Sequence, residues 1–265
     1  MTITSLVENT SETELRAVHG LSLLIETKRH RILFDLGPDR TLFENAEKRK
    51  IDLSAVDTVI LSHGHNDHGG ALREFLKINT TASVYLQRDA FLPHFSKALP
   101  DAVPIGLEPD LQTHPQILLL DGDHRIDEEL SLFTVTRTDR CHSPANDVLY
   151  EGSGRDLFRH EQNLILSGEK TALIMGCGHT GIVNILEKAA PFRPQVCIGG
   201  FHLNIPSLNR SVPDTLLEQI AGELNRRKEI EFYTCHCTGL HAYEYLSARM
   251  GHLHYLSCGQ TLEIR

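Results

Sequence analysis

Apolar positions along this chain follow two rhythms that alternate from one end to the other. The first is short and β-like: "ITSLVE", "LSLLIET" and "RILFDLG" are rich in branched aliphatic residues and stop at polar or turn-forming ones. The second has helical spacing. "RTLFENAEKRK" sets Leu42, Phe43 and Ala46 on one side, and "GGALREFLKI" does the same with Ala71, Leu72, Phe75 and Leu76. Between these two helices "TVILS" reads as a buried strand, and "ASVYLQ", "ILLLDG" and "LSLFTVT" predict further strands.

The later part of the chain repeats this order without repeating its sequence. "NLILS" and "TALIMG" flank "GEK" as a hairpin, "CGHTGIVNILEKAA" passes from a turn into a helix, and "QVCIGG" and "IEFYTC" are strands. "SVPDTLLEQIAGELNRR" and "GLHAYEYLSARMG" are helices, and "LHYLSCGQTLEIR" closes with two strands. Strands followed by helices in both halves predict a mixed α/β (α+β) fold: two sheets packed together under outer helices. No linker divides the chain, so residues 1–265 are expected to form a single domain. Two stretches break the rhythm. "PHFSKALPDAVPIGLEPDLQTHP" reads as a proline-rich surface excursion, and residues 138–162 show little periodicity. The latter is expected to be a lid or substrate-side loop, with a mobile connector as the alternative.

Composition narrows the class of partner. The chain has 265 residues, 40% of them hydrophobic, and a net charge of −9 with no basic block. That argues against nucleic acid or an anionic membrane surface as a partner and leaves a small molecule. No run approaches the ~18 apolar residues of a membrane-spanning helix. "MTITSLVENTSETE" lacks the basic start and apolar core of a secretory leader, so a cytoplasmic chain is expected. The six cysteines should then be reduced, and their spacing contains no paired CxxC set for a structural zinc. The sequence says nothing about oligomeric state.

The chemistry concentrates in "LSHGHNDHGG". His63, His65, Asp67 and His68 crowd one turn between a strand and a helix. In an extended segment His63 and His65 point the same way and can reach one ion, while Asp67 and His68 aim at a second point as the chain turns. Imidazoles with one carboxylate suit zinc, and also iron or manganese. Gly64 removes bulk between the first two histidines, and Gly69 and Gly70 are expected to let the backbone bend sharply.

"HGHNDH" resembles the HxHxDH signature of the metallo-β-lactamase superfamily, in that family's strand-to-helix context. "HGLSLLIE", "RILFDLG", "GCGHTGIVNI", "GGFHL" and "CHCTG" extend the resemblance over nearly the whole chain. They are similar to the branch of metal-dependent hydrolases that includes the dihydropterin-ribofuranosyl-aminobenzene-phosphate synthase of methanopterin biosynthesis. The resemblance implies an αββα sandwich with a two-metal site at one edge of its sheets. It further implies that His179 completes the first ligand set, and His236 the second, with His202 as the rival late ligand or a catalytic, substrate-facing residue. Asp35 would accept a hydrogen bond from a ligand histidine, Cys177 and Cys235 would support the site without ligating, and His19 would face the pocket. His30, His124, His252 and His254 carry no signal beyond exposure.

The expected cofactors are two divalent ions, zinc first, with Mn2+, Fe2+ or Mg2+ as alternatives, sharing a water of lowered pKa whose proton Asp67 steers. Hydrolysis of a small, phosphorylated substrate follows. The alternatives are pterin transfer with release of pyrophosphate and a metal-binding sensor without turnover. A flavodiiron-type redox enzyme would carry glutamate where His65 stands, a nuclease would show a basic surface, and a secreted β-lactamase would need a leader.

Overall fold

Period-two alternation sorts strand residues onto two faces, and each face here finds a different core. In the computed structural model, which describes residues 1–208 and 210–265, strand Arg31–Phe34 turns Ile32 and Phe34 to a core that strand Asn163–Leu166 fills with Leu164 and Leu166. The intervening Leu33 packs under helices Thr41–Lys48 and Leu72–Ile78. Ile165 packs under helices Ile182–Ala189, Asp214–Leu224 and Leu240–Ser247. The layers therefore run helix, sheet, sheet, helix: the αββα sandwich expected from the sequence.

Both large sheets have seven strands, and both are antiparallel at one side and parallel at the other. The first runs Thr261–Glu263, Thr2–Val7, Ser22–Glu26, Arg31–Phe34, Thr58–Ile60, Ser83–Gln87, Ile117–Leu120, parallel from Arg31–Phe34 onward. The second runs Leu253–Tyr255, Glu231–Thr234, Val196–Gly199, Ala172–Ile174, Asn163–Leu166, Leu130–Phe133, His124–Arg125, parallel as far as Ala172–Ile174. Ligand sites in such sheets form beyond the carboxyl ends of parallel strands. No helix among the described residues is long and apolar enough to cross a membrane.

Two sequence expectations need correction. Residues 138–162 are built rather than irregular: a 3-10 turn, Pro144–Val148, leads into strands Leu149–Glu151 and Gly154–Arg155. These strands join His94–Ser96 and Val103–Pro104, from the proline-rich excursion, in a four-stranded sheet. Strands so short leave no periodic signal, and pairs such as Leu149 with Ser96 are distant in sequence. The second correction concerns Gly69 and Gly70, which create no sharp bend. Asn66–Gly69 is a helical turn and Gly70 has φ −62°. Gly70 serves close packing instead, since a Cβ there would lie 2.2 Å from the Pro38 carbonyl oxygen.

His30, read from the sequence as merely exposed, clamps the two sheets. Its Nε2 lies 2.7 Å from Asp127 in a turn of the second sheet, and its Nδ1 lies 3.1 Å from Asp57 beside the first. Burial alone would lower its pKa, but the two carboxylates outweigh that and raise it above 6.5. A raised folded-state pKa stabilises fully below the unfolded value and loses that contribution as pH rises through the folded one. His30→Ala should therefore lower the thermal midpoint more at about pH 6 than at about pH 9, as followed by circular dichroism. Equal losses at both pH values would show that the clamp is not ionic.

Candidate metal centre

Five parallel strands deliver the chemistry. Asp35 follows Arg31–Phe34, His63 and His65 follow Thr58–Ile60, and Cys177 and His179 follow Ala172–Ile174. His202 lies just beyond Val196–Gly199, and His236 just beyond Glu231–Thr234. Close approach of neighbouring segments requires glycine at two of these ends. A Cβ on Gly176 would sit 2.1 Å from Ser62 Oγ, and one on Gly64 would sit 2.3 Å from the Ala90 carbonyl oxygen.

Asp35 organises the first sheet's contribution. Its backbone is left-handed (φ 60°) and its side chain fully buried. Oδ1 accepts the Ser62 N–H at 2.7 Å, while Oδ2 accepts Ser62 Oγ–H at 2.7 Å and faces His68 Nδ1 at 2.7 Å. His68 therefore carries its proton on Nδ1 and leaves Nε2 free. Because the Ser62 hydroxyl proton is committed to Asp35, its oxygen accepts from His63 Nδ1 at 2.8 Å. His63 Nε2 is free by the same logic.

The second sheet supplies two more rings in the same state. The Asn146 amide brackets His179: Nδ2 donates to the His179 carbonyl at 2.8 Å and Oδ1 accepts from Nδ1 at 3.0 Å. Asn9 treats His236 alike, Nδ2 donating to its carbonyl at 3.2 Å and Oδ1 accepting from Nδ1 at 2.8 Å. Buried glutamates fix the backbones: Glu161 accepts the His179 N–H at 2.6 Å, and Glu8 the His236 N–H at 2.6 Å.

The free nitrogens meet across the sheets. His63 Nε2 and His179 Nε2 are 3.3 Å apart, and His68 Nε2 and His236 Nε2 are 3.1 Å apart. Asp67 Oδ2 lies 3.2 Å from His236 Nε2 and 3.6 Å from His68 Nε2. Facing lone pairs repel unless a proton or a metal ion lies between them. Two nitrogens on one tetrahedral zinc stand about 3.3 Å apart, given Zn–N bonds of about 2.0–2.1 Å. The donor set therefore fits divalent ions, in two groups. His65 joins the first, having a ligand atom within 4.8 Å of those of His63 and His179.

Electrostatics agrees with this division. Burial, aided by neighbouring imidazoles, holds His63, His65 and His179 well below 6.5, the neutral form that binds metals. Burial would also lower His68, but Asp67 and Asp35 raise it to about 9. Burial opposes ionisation of Asp67, yet His68, His19 and His236 hold its carboxyl well below the usual range.

The remaining residues singled out in the sequence lie around these two groups. His19 Nε2 is 3.3 Å from Asp67 and partly exposed. Cys177 Sγ lies 3.1 Å from His68 Nε2, and burial pushes its thiol well up. Cys235 is buried in the core between the sheets. His202, left-handed at φ 47°, packs 4.1 Å from the His179 ring, and both of its nitrogens are buried without a partner. Sequence reasoning missed Glu8, Asn9, Asn146, Glu161 and a buried cluster of His94, Asp156 and His160 beside His65. None of these stands in a local motif. Beside His179 a cavity of about 370 Å3 opens, lined also by Asn146, His142, Phe158, Arg155 and Arg159. The Phe158 ring stacks parallel to His179 at 4.4 Å.

Known proteins resemble this chain in sequence and fold. Over 91% of its length the chain is 28% identical to the uncharacterized protein MJ0448 of Methanocaldococcus jannaschii, covering 92% of that protein. It is 29% identical to 7,8-dihydropterin-6-methyl-4-(beta-D-ribofuranosyl)-aminobenzene-5'-phosphate synthase of the same organism, over 84% of this chain and 82% of the synthase. The crystal structure of Tm1679, described as a metal-dependent hydrolase of the beta-lactamase superfamily, aligns with a TM-score of 0.81 at 27% identity, covering 100% of this chain and 99% of that one. Residues 15–159, just over half of the chain and including the whole histidine-rich turn, match the family profile, and the chain belongs to the metallo-beta-lactamase superfamily.

Proposed function

We propose that this chain is a metal-dependent hydrolase holding two divalent ions and acting on a small phosphorylated molecule. The observation that carries the reading is the pairwise convergence of four Nε2 atoms whose Nδ1 protons are already committed. His63, His65 and His179 would hold the first ion, and Asp67, His68 and His236 the second. Zinc suits this donor set best, ahead of manganese, iron(II) or magnesium. Bound there, such ions supply Lewis acidity and lower the pKa of water toward about 7.

The chain's own groups direct substrate and proton. Asp67 Oδ2 accepts the proton of the attacking water, and His19 Nε2, 3.3 Å away and open to solvent, takes it onward. His202, neither of whose nitrogens has a partner, offers an N–H to a substrate oxygen. Arg155 and Arg159 stand on the cavity rim, where an anionic substrate would compete with their carboxylate partners Asp147, Asp89 and Glu151. The 29% identity to the dihydropterin synthase supports a second reading, in which the same site activates a diphosphate leaving group and the pterin is transferred. Release of pyrophosphate from a pterin diphosphate, against release of phosphate from simple phosphoesters, distinguishes the two. A protein that binds metal and turns over neither is a sensor.

Elemental analysis of protein purified with zinc or manganese should find about two ions per chain. His179→Ala and His236→Ala should each lose one ion. Each should also lose more turnover than the about 10–100-fold typical of removing an outer hydrogen-bond partner. His254→Ala, whose ring pairs with Glu231 on the surface at 2.9 Å, should do neither. Loss of metal from His202→Ala but not from His236→Ala would reassign the late ligand.

Asp67→Asn removes the charge while keeping the shape. It should retain the fold and the first ion, lose most turnover, and show a residual rate that climbs with pH more steeply than the parent's. Rates across pH on a phosphoester, with metal counts, test this. An unchanged profile would reduce Asp67 to a structural turn residue.

A further inference from the structure

The cluster of His94, Asp156 and His160 lies beside His65, is completely buried, and has no part in the chemistry described so far. Asp156 is its centre. Oδ1 accepts the Phe158 N–H at 2.7 Å. Oδ2 lies 3.0 Å from His160 Nε2 and 3.1 Å from His94 Nδ1. Three imidazoles and a carboxylate are themselves a plausible ligand set for an ion, but proton positions decide against it. The Gly64 N–H donates to His160 Nδ1 at 2.9 Å, so a neutral His160 carries its proton on Nε2 and donates it to Asp156. An ion would need a lone pair at that nitrogen and would strip the ring of its only proton. His94 faces acceptors on both sides, Asp156 at Nδ1 and the Asp89 carbonyl at Nε2, 3.3 Å away. The cluster is therefore a set of donors converging on one carboxylate.

One donor of that set is incomplete. His65 Nε2 is buried without a hydrogen-bond partner, and Asp156 Oδ2 lies 3.9 Å from it. A lone pair aimed at a carboxylate is repelled, whereas an N–H is attracted. The proton of His65 accordingly belongs on Nε2, which leaves Nδ1 as the ring's one lone pair.

We infer that Asp156 is a positioning residue: it holds His65 in the Nε2–H tautomer with Nδ1 turned to the first metal group, as Asp35 does for His68 in mirror-image tautomer. The inference rests on the two-ion reading for its consequence in metal binding, but the tautomer of His65 is a property of the metal-free protein. It also gives the segment 138–162 a role. That segment brings Asp156 and His160 to the site, and through His160 it holds the backbone of Gly64 between His63 and His65.

Two measurements test this. Long-range proton–nitrogen correlation spectra of the metal-free wild-type protein, labelled with 15N-histidine, should show His65 as the Nε2–H tautomer. An Nδ1–H tautomer would overturn the inference whether or not the protein binds metal. Cobalt(II) titration against a competing chelator should then show Asp156→Asn weakening the first ion by about 10–100-fold, with a changed visible spectrum and the second ion unaffected. Unchanged affinity and spectrum in that variant, or loss of a third equivalent of cobalt, would overturn it. If wild-type protein takes up no cobalt, the two-ion reading fails and the tautomer alone decides this one. The tautomer likewise decides if Asp156→Asn does not fold.

Discussion

A single buried carboxylate sets the state of the histidines that the first sheet brings to the candidate site. Asp35 accepts from Ser62 twice and from His68 once, and through the Ser62 hydroxyl it also fixes His63. A carboxylate removed from water keeps its charge only when several donors surround it. Here those donors belong to the turn that carries the ligand histidines, so the group that needs the hydrogen bonds is also the group that orders the site. The cost is a left-handed backbone at Asp35, shared by His202 (φ 47°) and His236 (φ 50°). Strained residues of this kind persist where surrounding contacts over-determine them. At Asp35 and His236 the contacts are visible, through Ile60 and Ser62 in one case and Glu8 and Asn9 in the other.

Each proposed ion site spans the two sheets. His63, His65, Asp67 and His68 come from the first sheet, and His179 and His236 from the second. Neither sheet has a complete ligand set, so an ion bound to both would also tie the sandwich together at its open edge. The resemblance between the halves of the chain, seen in the sequence only as a repeated order of strands and helices, is the architectural reason. Both sheets turn the carboxyl ends of their parallel strands to the same edge.

What was legible in the sequence was local. "HGHNDH" compresses four donors into one turn, and the strands around it alternate cleanly enough to be read, so two sheets under outer helices and the first four candidate site residues needed no tertiary information. What was not legible is held by distant contacts. His160 meets Gly64, Asp156 meets His94, and Asn146 meets His179 across long stretches of chain, through strands too short to leave a period. His30 failed for the same reason, since both of its partners lie on other turns. The glycines failed differently. Gly69 and Gly70 suggested a sharp bend and Gly64 room between two histidines, whereas Gly64, Gly70 and Gly176 are there because another backbone or side chain occupies the space of a Cβ.

Charge balance completes the physical case for a cation at this edge. Glu8, Asp35, Asp156 and Glu161 are buried, and Asp67 is largely so. Among the described residues no lysine or arginine is buried with them. Backbone N–H groups and hydroxyls donate to Glu8, Asp35 and Glu161, and the titratable groups facing Asp67 and Asp156 are imidazoles. The histidines divide accordingly. His63, His65 and His179, crowded by other rings, are held neutral by burial. His68, between two carboxylates, is pushed up to about 9 and takes a proton at the point where Asp67 and His236 also converge. A proton there meets the same demand that a divalent ion would meet more fully, because Nε2 of His68, Nε2 of His236 and Oδ2 of Asp67 all face one place. Binding at the second group is thus an exchange of cations in a field that the fold has already built, while the first group offers neutral lone pairs that need no proton removed.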